Sequence, residues 1–458
     1  MNTASRETPN APPLWRQLQA AAGVLAAVRG GASGTAAIDA VAAALRPGVQ
    51  ALAYQVLRGL GRAEALRRQL ARRAPPPAAD ALLCAALALL SREGDKPYEP
   101  FTLVDQAVEA AKRQSATRGQ ASFLNACLRR YLREQAALDA AVADDALARW
   151  NHPRWWIERL QHDHPAHWEA ILQTNNTPPP MALRVNARRG APAAYLQRLA
   201  AQGVAARAVG ADGVVLARPR PVPQIPGFAE GDVSVQDAAA QLAAPLLLEG
   251  LAPAAPGAPL RLLDACAAPG GKTAHLLEWL GAIGRVPTPA EVTALDVDPA
   301  RCVRIGDTLQ RLGLAGEARV LAADAGEPAT WWAGQPFDGI LLDAPCTASG
   351  IVRRHPDVRW LRRPGDIAQL AVIQARLLAT LWPLLRPGGR LLYCTCSVFR
   401  AEGDGQIQTF LAHNTDAVLQ PSPGHLLPST GANGDGVPDN PQGEHDGFFY
   451  ALLEKRGP

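Results

Sequence analysis

The chain has 458 residues, which is too many for one ordinary hydrophobic core and predicts a modular protein with roughly two to four domains. Hydrophobic residues make up 48% of the chain and charged residues 19%, a globular balance that excludes a largely disordered or fibrous protein. The formal net charge is +4 but unevenly spread: residues 1–240 hold 28 Lys and Arg against 20 Asp and Glu, and residues 241–458 hold 18 against 22.

Residues 14–139 are rich in Ala and Leu at helical spacing, as in Ile38, Val41 and Leu45. Because no alternating strand pattern is present, we expect an all-α bundle and place the first domain at residues 1–145. The apolar run at residues 20–28 falls well short of the roughly 20 residues of a membrane span, so no membrane association is expected. The basic faces of the bundle suit RNA, although solvated helix surfaces or the Arg usage of a GC-rich genome would also explain them.

A second segment, residues 146–240, begins with Trp150, Trp155 and Trp156 interleaved with Arg residues. Such a pattern can stack on bases and pair with phosphates, but ordinary core packing of the Trp side chains is at least as consistent with it. The residues from Leu183 to Asn186 predict a short strand, and Arg184 within it is a candidate RNA contact. We therefore expect a small α+β RNA-binding subdomain.

The pattern of apolar residues changes after a loop rich in Gly, Ala and Pro at residues 250–259. Short apolar runs then alternate with helical patterns, which is typical of an α/β Rossmann-like domain with a mainly parallel sheet, here residues 241–458. The final run is expected to add an edge strand. The predicted strands lie at residues 261–266, 292–296, 319–323, 339–342, 390–394 and 447–453.

The first of these strands leads into the sequence DACAAPGGKT, at residues 264–273, and then into a predicted helix at residues 274–280. A glycine pair at this edge of a sheet allows the backbone to approach a cofactor closely. A phosphate-binding P-loop is disfavoured, because that motif requires glycine where Cys266 stands. The candidate cofactor-binding residues of the loop are Cys266, Ala267, Ala268, Pro269, Gly270, Gly271 and Lys272.

Two aspartates follow the next strands. Asp296 lies at the position from which a carboxylate can accept both ribose hydroxyls of a nucleoside cofactor, and Asp324 is placed to accept the adenine amino group. Either could alone be a helix cap or a turn residue. Their repetition at successive strand ends is what predicts a site.

Cysteines supply the remaining signal. Cys346 and Cys396 each follow a predicted strand at the cofactor edge, whereas Cys84, Cys127 and Cys302 lie on helical patterns and are expected to be inert. Seven cysteines without regular spacing, and without a secretory leader, predict reduced thiols in the cytoplasm. No metal site is expected.

Together the motifs Asp-Ala-Pro-Cys (343–346), Cys-Ala-Ala-Pro-Gly-Gly-Lys (266–272) and Thr-Cys-Ser (395–397) resemble the RNA cytosine-5 methyltransferases of the Nol1/Nop2/Sun family. The runs at 231–237, 353–357 and 446–450 are similar to bacterial members that act on 16S rRNA, and the matching runs span about half the chain. The resemblance also implies a NusB-like RNA-binding fold for the amino-terminal bundle.

The resemblance implies a mechanism as well. Cys396 would add to carbon 6 of cytosine, S-adenosylmethionine would methylate carbon 5, and Cys346 would assist release of the product. Asp343 would contact both cofactor and pyrimidine. Arg353, Arg354 and His355 would hold the RNA around a flipped or unpaired base.

One run departs from the family pattern: after Thr-Cys-Ser the family commonly has Pro-Glu-Glu-Asn, whereas residues 399–404 read Phe-Arg-Ala-Glu-Gly-Asp. The change affects loop geometry and removes no residue that makes bonds. Two other functions stay open: methylation of tRNA or another rRNA cytosine, and an RNA-binding factor with an inactive catalytic domain. We expect a monomer whose basic half, residues 1–145, is a separable RNA clamp.

Overall fold

The protein, seen in a computed structural model that describes residues 12–92, 98–282, 289–428 and 444–457, divides into two compact units. The helical unit comprises the chain up to Thr177 together with Val352–Arg362. The sheet unit comprises Pro178–Ile351 and the chain from Arg363 onward. These limits differ from the predicted boundaries at 145 and 240, because contacts group the helices after residue 145 with the bundle and the following small sheet with the large one.

The helical unit is all-α, as expected. Helix α5 is apolar on every side and buried from Ala79 to Leu90, so it forms the centre of the bundle. The helices of this unit are α1 (Leu14–Arg29), α2 (Gly34–Asp39), α3 (Arg46–Arg58), α4 (Leu60–Leu70), α5 (Pro77–Leu90), α6 (Pro100–Arg113), α7 (Ser115–Arg118), α8 (Ala121–Arg133), α9 (Gln135–Ala141), α10 (Ala146–Trp150), α11 (Arg154–Asp163), α12 (Trp168–Asn175) and, in the later segment, α17 (Val358–Leu361).

The segment Val352–Arg362, which we call the inserted segment, is held in the helical unit by buried polar contacts. The carboxylate of Asp357 accepts the backbone N–H of Gly34 at 2.8 Å, and the Trp360 indole donates to the carbonyl of Leu57 at 2.8 Å. Arg359 is fully buried and donates to the Asn175 carbonyl at 2.6 Å. The eleven residues from Val352 to Arg362, which begin six positions after Cys346, are therefore structural members of the helical unit.

The sheet unit begins with a small antiparallel sheet of strand order β2-β3-β1-β4. Ala182, Val209 and Val215 from this sheet share a hydrophobic core with Leu276 and Leu277 of the following domain, which explains why the two form one unit. The elements are β1 (Met181–Val185), α13 (Pro192–Ala201), β2 (Ala206–Val209), β3 (Gly213–Leu216), β4 (Val233–Val235) and α14 (Ala243–Leu248).

A seven-stranded sheet of order β10-β11-β9-β8-β5-β6-β7 follows, and its strands from β5 to β9 pair in parallel. This is the Rossmann-like sheet that the alternating pattern predicted. Its elements are β5 (Leu260–Asp264), α15 (Gly271–Leu280), β6 (Ala290–Asp296), α16 (Pro299–Arg311), β7 (Ala318–Ala322), β8 (Phe337–Asp343), α18 (Pro364–Leu381), β9 (Leu385–Thr395), α19 (Asp404–His413), β10 (Ala417–Leu426) and β11 (Phe448–Lys455).

The prediction of a final edge strand is wrong. Strand β11 pairs with β9 on one side and with β10 on the other, so β10 is the edge. Pro421 and Pro423 in β10 cannot donate to a ladder, which hid the strand in the sequence but is tolerated at a sheet edge.

Among the described residues, one helix, Pro364–Leu384, is long and apolar enough to cross a membrane. Length and composition are weak evidence, because buried core helices meet the same criteria. Leu377, Leu378 and Leu381 of this helix pack in the core with strands β8 and β9, which accounts for its apolar surface.

Candidate active site

A cavity of about 460 Å³ opens at the carboxyl ends of the parallel strands. The small side chains Ala265, Ala323 and Ala344, which follow β5, β7 and β8, leave this space open. The volume is in the range of pockets that enclose a small ligand. The wall also includes Cys266, Ala268, Asp296, Arg301, Asp324, Asp343, Cys346, Arg376 and Cys396.

Asp296 ends strand β6 and is 3% exposed. Its Oδ2 accepts the backbone N–H of Ala268 at 3.2 Å, and its Oδ1 accepts that of Asp298 at 3.2 Å. Arg301 forms an ion pair with Oδ2 at 3.4 Å. Because a carboxylate has about four acceptor positions, Asp296 keeps capacity for the two ribose hydroxyls that the sequence led us to expect.

Asp324, after strand β7, is fixed by a cation that the sequence analysis did not identify. Arg376 donates from Nη2 to both carboxylate oxygens, at 2.9 and 3.2 Å, and the Gly326 N–H donates to Oδ1 at 2.7 Å. Burial alone would raise the pKa of Asp324, but these hydrogen bonds outweigh it and lower the pKa. The expected adenine contact thus falls on a carboxylate that is already oriented.

Asp343 ends strand β8, where two side chains hold it. Lys272 donates from Nζ to Oδ2 at 2.6 Å, and the Cys394 thiol donates to Oδ1 at 3.5 Å. Burial would lower the pKa of Lys272, yet the charge of Asp343 outweighs it and raises the pKa, so Lys272 is a permanent cation. Burial, followed by the charge of Asp343, raises the pKa of Cys394 well above its ordinary range. Cys394 is therefore a neutral donor.

The two cysteines singled out in the sequence meet at the mouth of the cavity. The sulfur atoms of Cys346 and Cys396 are 3.4 Å apart, and both residues line the wall together with Asp343. The hydrogen bond with Cys396 is the largest cause of a strongly raised pKa at Cys346, and burial adds to it. Cys346 is thus a neutral thiol in the resting protein, able to donate to the other sulfur.

Glu402 is a site component that sequence reasoning missed. Its side chain is fully buried and accepts hydrogen bonds from residues adjacent to both cysteines, Thr347 and Ser397. Burial raises its pKa, and these hydrogen bonds counteract the rise. A single Glu in a loop carries no sequence signal of this kind, because its partners are 55 and five positions away in the chain.

The cofactor loop contributes less of its length to the cavity than expected. Cys266 and Ala268 line it, whereas Ala267, Pro269, Gly270, Gly271 and Lys272, all within the described chain, do not. Gly270 has a φ of +95°, and a Cβ there would lie 3.0 Å from the Ile305 Cα. Glycine at this position therefore allows close packing on helix α16, and the role of the glycine pair in approach to a cofactor stays a prediction.

The departure from the family pattern has a local explanation. A Cβ at Gly403 would lie 2.6 Å from the His425 ring and 2.8 Å from Phe449. The imidazole of His425 packs on Phe449 with ring centroids 4.7 Å apart. Glycine therefore leaves room for this histidine, and the loop continues to place Glu402 beneath the thiols.

The RNA-binding prediction for Arg184 is corrected by its burial. Arg184 is 0% exposed, and Nε and Nη2 donate to the two Glu278 oxygens, each at 2.9 Å. It also donates to the Gly271 carbonyl at 2.8 Å. A guanidinium enclosed in this way cannot contact phosphate, and it joins the small sheet to helix α15 instead.

Arg353 also differs from the expectation. It is 1% exposed, and its carbonyl accepts a hydrogen bond from Arg58 at 2.6 Å, so it is part of the helical unit's interior. Arg354 and His355 are half-buried. These two remain candidates for RNA contact, whereas the Arg353 guanidinium lies inside the protein.

In the Trp and Arg pattern, Trp150 and Trp156 are core residues, whereas Trp155 is half-buried. Trp156 is 0% and Trp150 7% exposed, and Trp150 packs edge-on against Trp168 with centroids 5.1 Å apart. Buried rings cannot stack on bases. In the described chain, no group of three or more His, Cys, Asp or Glu side chains is placed to hold a metal ion.

Comparison with known proteins matches two regions of the chain. Residues 253–454 match the family model of 16S rRNA methyltransferase RsmB/F, and residues 152–223 match the ferredoxin-like domain of RsmF/B-like methyltransferases. The second match covers helices α11 to α13 and the strands β1, β2 and β3 of the small sheet, and it ends before β4.

The chain is similar over most of its length to proteins named ribosomal RNA small subunit methyltransferase B. It is 46% identical over 412 residues to ribosomal RNA small subunit methyltransferase B of Xanthomonas campestris, covering 89% of this chain and 88% of the relative. It is 43% identical to the Vibrio cholerae protein of that name, covering 77% and 76%. A solved methyltransferase homologue from Pyrococcus horikoshii aligns with a TM-score of 0.54 at 27% identity, covering 68% of this chain and 98% of the homologue.

Proposed function

Because the chain belongs to the RsmB/F family of 16S rRNA methyltransferases, we propose that it methylates carbon 5 of a cytosine in 16S rRNA, with Cys396 as the covalent nucleophile. The observation that carries the proposal is the pair of thiols 3.4 Å apart on the wall of one cavity. Cytosine-5 chemistry needs one group to add to the ring and another to remove a proton.

S-adenosylmethionine is the cofactor, and the cavity fits it in size and in the chemistry of its wall. Asp296 would accept the ribose hydroxyls, Asp324 the adenine amino group, and the loop after β5 would contact the remainder. When bound, the cofactor supplies an electrophilic methyl group for carbon 5. The ion pairs of Asp296 with Arg301 and of Asp324 with Arg376 hold these acceptors in place.

The residues of the chain activate the base. Carbon 5 of cytosine is a poor nucleophile, and addition of the Cys396 thiolate to carbon 6 turns the ring into an enamine. Before that step the Cys346 thiol can donate to the Cys396 sulfur and so stabilise its negative charge. Asp343, oriented by Lys272 and Cys394, faces the same cavity and would contact the pyrimidine edge.

Release of the product would follow from the same contact. Once the Cys396 sulfur is bonded to carbon 6 it no longer accepts a hydrogen bond as a charged thiolate, and the Cys346 thiol would give its proton to solvent to become the base. The Cys346 thiolate can then take the proton from carbon 5. The C–H electrons restore the double bond between carbons 5 and 6, and the bond to Cys396 breaks to return its thiolate.

The surroundings suit an RNA substrate. The helical unit carries the Arg-rich faces expected of an RNA-binding domain, and we assign it, with the ferredoxin-like segment, to holding the rRNA. We place the protein in the cytoplasm as a monomer, and in the described part of the chain none of the seven cysteines forms a disulfide bond.

The proposal is tested with purified protein, methyl-labelled S-adenosylmethionine, and 16S rRNA or tRNA transcripts, followed by bisulfite sequencing. We expect label at a single cytosine of 16S rRNA, protected from bisulfite conversion. Label on tRNA alone would show that the substrate is tRNA and not 16S rRNA. Binding of rRNA without any label would indicate an inactive catalytic domain.

A further inference from the structure

Glu402 connects the two cysteine loops from beneath. Its Oε1 accepts the backbone N–H of Thr347 at 2.8 Å and the Gln374 amide at 3.2 Å, and its Oε2 accepts the Thr347 hydroxyl at 2.5 Å and the Ser397 hydroxyl at 2.6 Å. Thr347 directly follows Cys346, and Ser397 directly follows Cys396. One carboxylate therefore bonds to the residue after each thiol.

The loops are fixed further by hydroxyl groups around this carboxylate. The Ser349 and Ser397 hydroxyls are 2.8 Å apart, Ser349 accepts the Val398 N–H at 3.0 Å, and Ser397 accepts the Phe399 N–H at 3.0 Å. The Gly350 N–H donates to the Cys396 carbonyl at 2.9 Å. The backbone on both sides of the thiol pair thus belongs to one buried network.

A carboxylate suits this place because it only accepts. Both donors to Oε1 are N–H groups, and the Ser397 hydroxyl, which already accepts from Phe399, has its proton available for Oε2. An amide that turned its oxygen to the two N–H donors would turn its own N–H groups to the Thr347 and Ser397 hydroxyls, which would have to accept instead of donate and so rearrange the network. Glu402 is not on the cavity wall, so it acts through its neighbours and not on the substrate.

We propose that Glu402 is a positioning residue that holds the Cys346 and Cys396 sulfurs at contact distance through Thr347 and Ser397. The inference rests on the proposed cysteine chemistry, in which an error of about 1 Å between reacting groups can slow a step by roughly a hundredfold. Glu402 would therefore set the rate of covalent bond formation while leaving substrate affinity unchanged.

The test compares Glu402→Gln with the wild-type protein on 16S rRNA transcripts containing 5-fluorocytidine, which has no proton at carbon 5 and so traps the adduct. With saturating RNA and S-adenosylmethionine, we expect adduct formation to slow by roughly tenfold or more, with the concentrations at half-saturation unchanged. Asp338→Asn is the matched control, because Asp338 is a buried carboxylate, 2% exposed, at the opposite end of strand β8 that accepts from Arg386 and Arg261.

Asp338→Asn should lower the melting temperature and leave the adduct rate within about twofold, which separates positioning from general destabilisation. If Glu402→Gln folds and forms adduct at the wild-type rate, the inference is wrong. If it does not fold, Ser397→Ala removes one of the bonds and should slow adduct formation in the same direction, and a wild-type rate in that variant overturns the inference. Absence of any adduct with wild-type protein would instead reject the proposed function.

Discussion

The sulfur of Cys346 lies 3.4 Å from that of Cys396, a residue 50 positions later at the end of the neighbouring strand. Parallel pairing of β8 with β9 brings both strand ends to one edge of the sheet. The hydrogen bond in this contact, together with burial, raises the pKa of the Cys346 thiol well above its ordinary range.

Replacement of either thiol should stop the reaction at a different point. Cys396→Ala should give neither methylated product nor covalent complex, because the enamine cannot form. With unmodified rRNA as substrate, Cys346→Ala should accumulate a covalent protein–RNA adduct that carries the methyl group. This adduct should survive denaturing electrophoresis. An adduct in Cys396→Ala, or none in Cys346→Ala, would reverse or abolish the assigned roles.

Decay of the methylated adduct should accelerate as pH rises. In the proposed mechanism the Cys346 thiolate removes the proton from carbon 5, and because burial disfavours the charged form of this thiol, the thiolate fraction grows only as pH increases. Quenched single-turnover reactions between pH 6 and pH 9 measure this decay. A rate that is constant over the range would show that another group removes the proton.

The stability of the sheet unit should depend on Asp264. Burial raises its pKa to about 7, whereas its ordinary pKa, which applies to the unfolded chain, is near 3.8. Between these two values the folded protein keeps a proton on Asp264 that the unfolded chain has lost. The stabilising effect of that proton is present below about pH 4 and is lost as pH rises towards 7, by at most ~4 kcal/mol. Asp264→Asn does not titrate and can still accept from Thr273. In urea denaturation, the free energy of unfolding of Asp264→Asn minus that of wild type should rise between pH 5 and pH 8. A difference that does not change with pH would show that Asp264 does not couple stability to pH.

Asp296→Ala should weaken S-adenosylmethionine binding by roughly a few kcal/mol, because two hydrogen bonds to a charged acceptor are lost. Affinity for RNA should change little. Asp298→Ala is the matched control, because it also removes one carboxylate and lies two positions from Asp296. The Asp298 side chain caps helix α16 by accepting the Ala300 N–H at 2.8 Å. That variant should lose about 1 kcal/mol of stability and keep its cofactor affinity, as calorimetric titration can determine.

Deletion of residues 1–145 should not yield the independent, folded catalytic core that the sequence suggested. The inserted segment would lose two hydrogen-bond partners, the Gly34 N–H that Asp357 accepts and the Leu57 carbonyl to which Trp360 donates. The Asp357 carboxylate and the Trp360 ring would then be exposed to solvent. We expect a lower melting temperature and rapid proteolysis near residues 352–362. Protection of that segment in the truncated chain would show that it folds without the bundle.

The sequence predicted the parallel strands well because buried strands between helices form short apolar runs bounded by turns. It also predicted the two thiols and three aspartates as site residues, because each lies at or shortly after the end of such a run, and the structure places all five on the wall of one cavity. It could not identify Arg376, Glu402 or the burial of Arg184, because each depends on a partner brought close only by the fold: Glu278 is 94 positions from Arg184. The sequence shows how many charged side chains the chain has, but it does not show which of them the fold buries.

The inserted segment has a consequence for biosynthesis. Helices α1 to α12 leave the ribosome first, but the acceptor of the Gly34 N–H and the indole that binds the Leu57 carbonyl are made only with Asp357 and Trp360. The bundle therefore cannot reach its final packing until the strands carrying the cofactor site and Cys346 have been translated. Maturation of the first-made unit waits for the second, so a chain that stops before residue 352 lacks a finished domain of either kind.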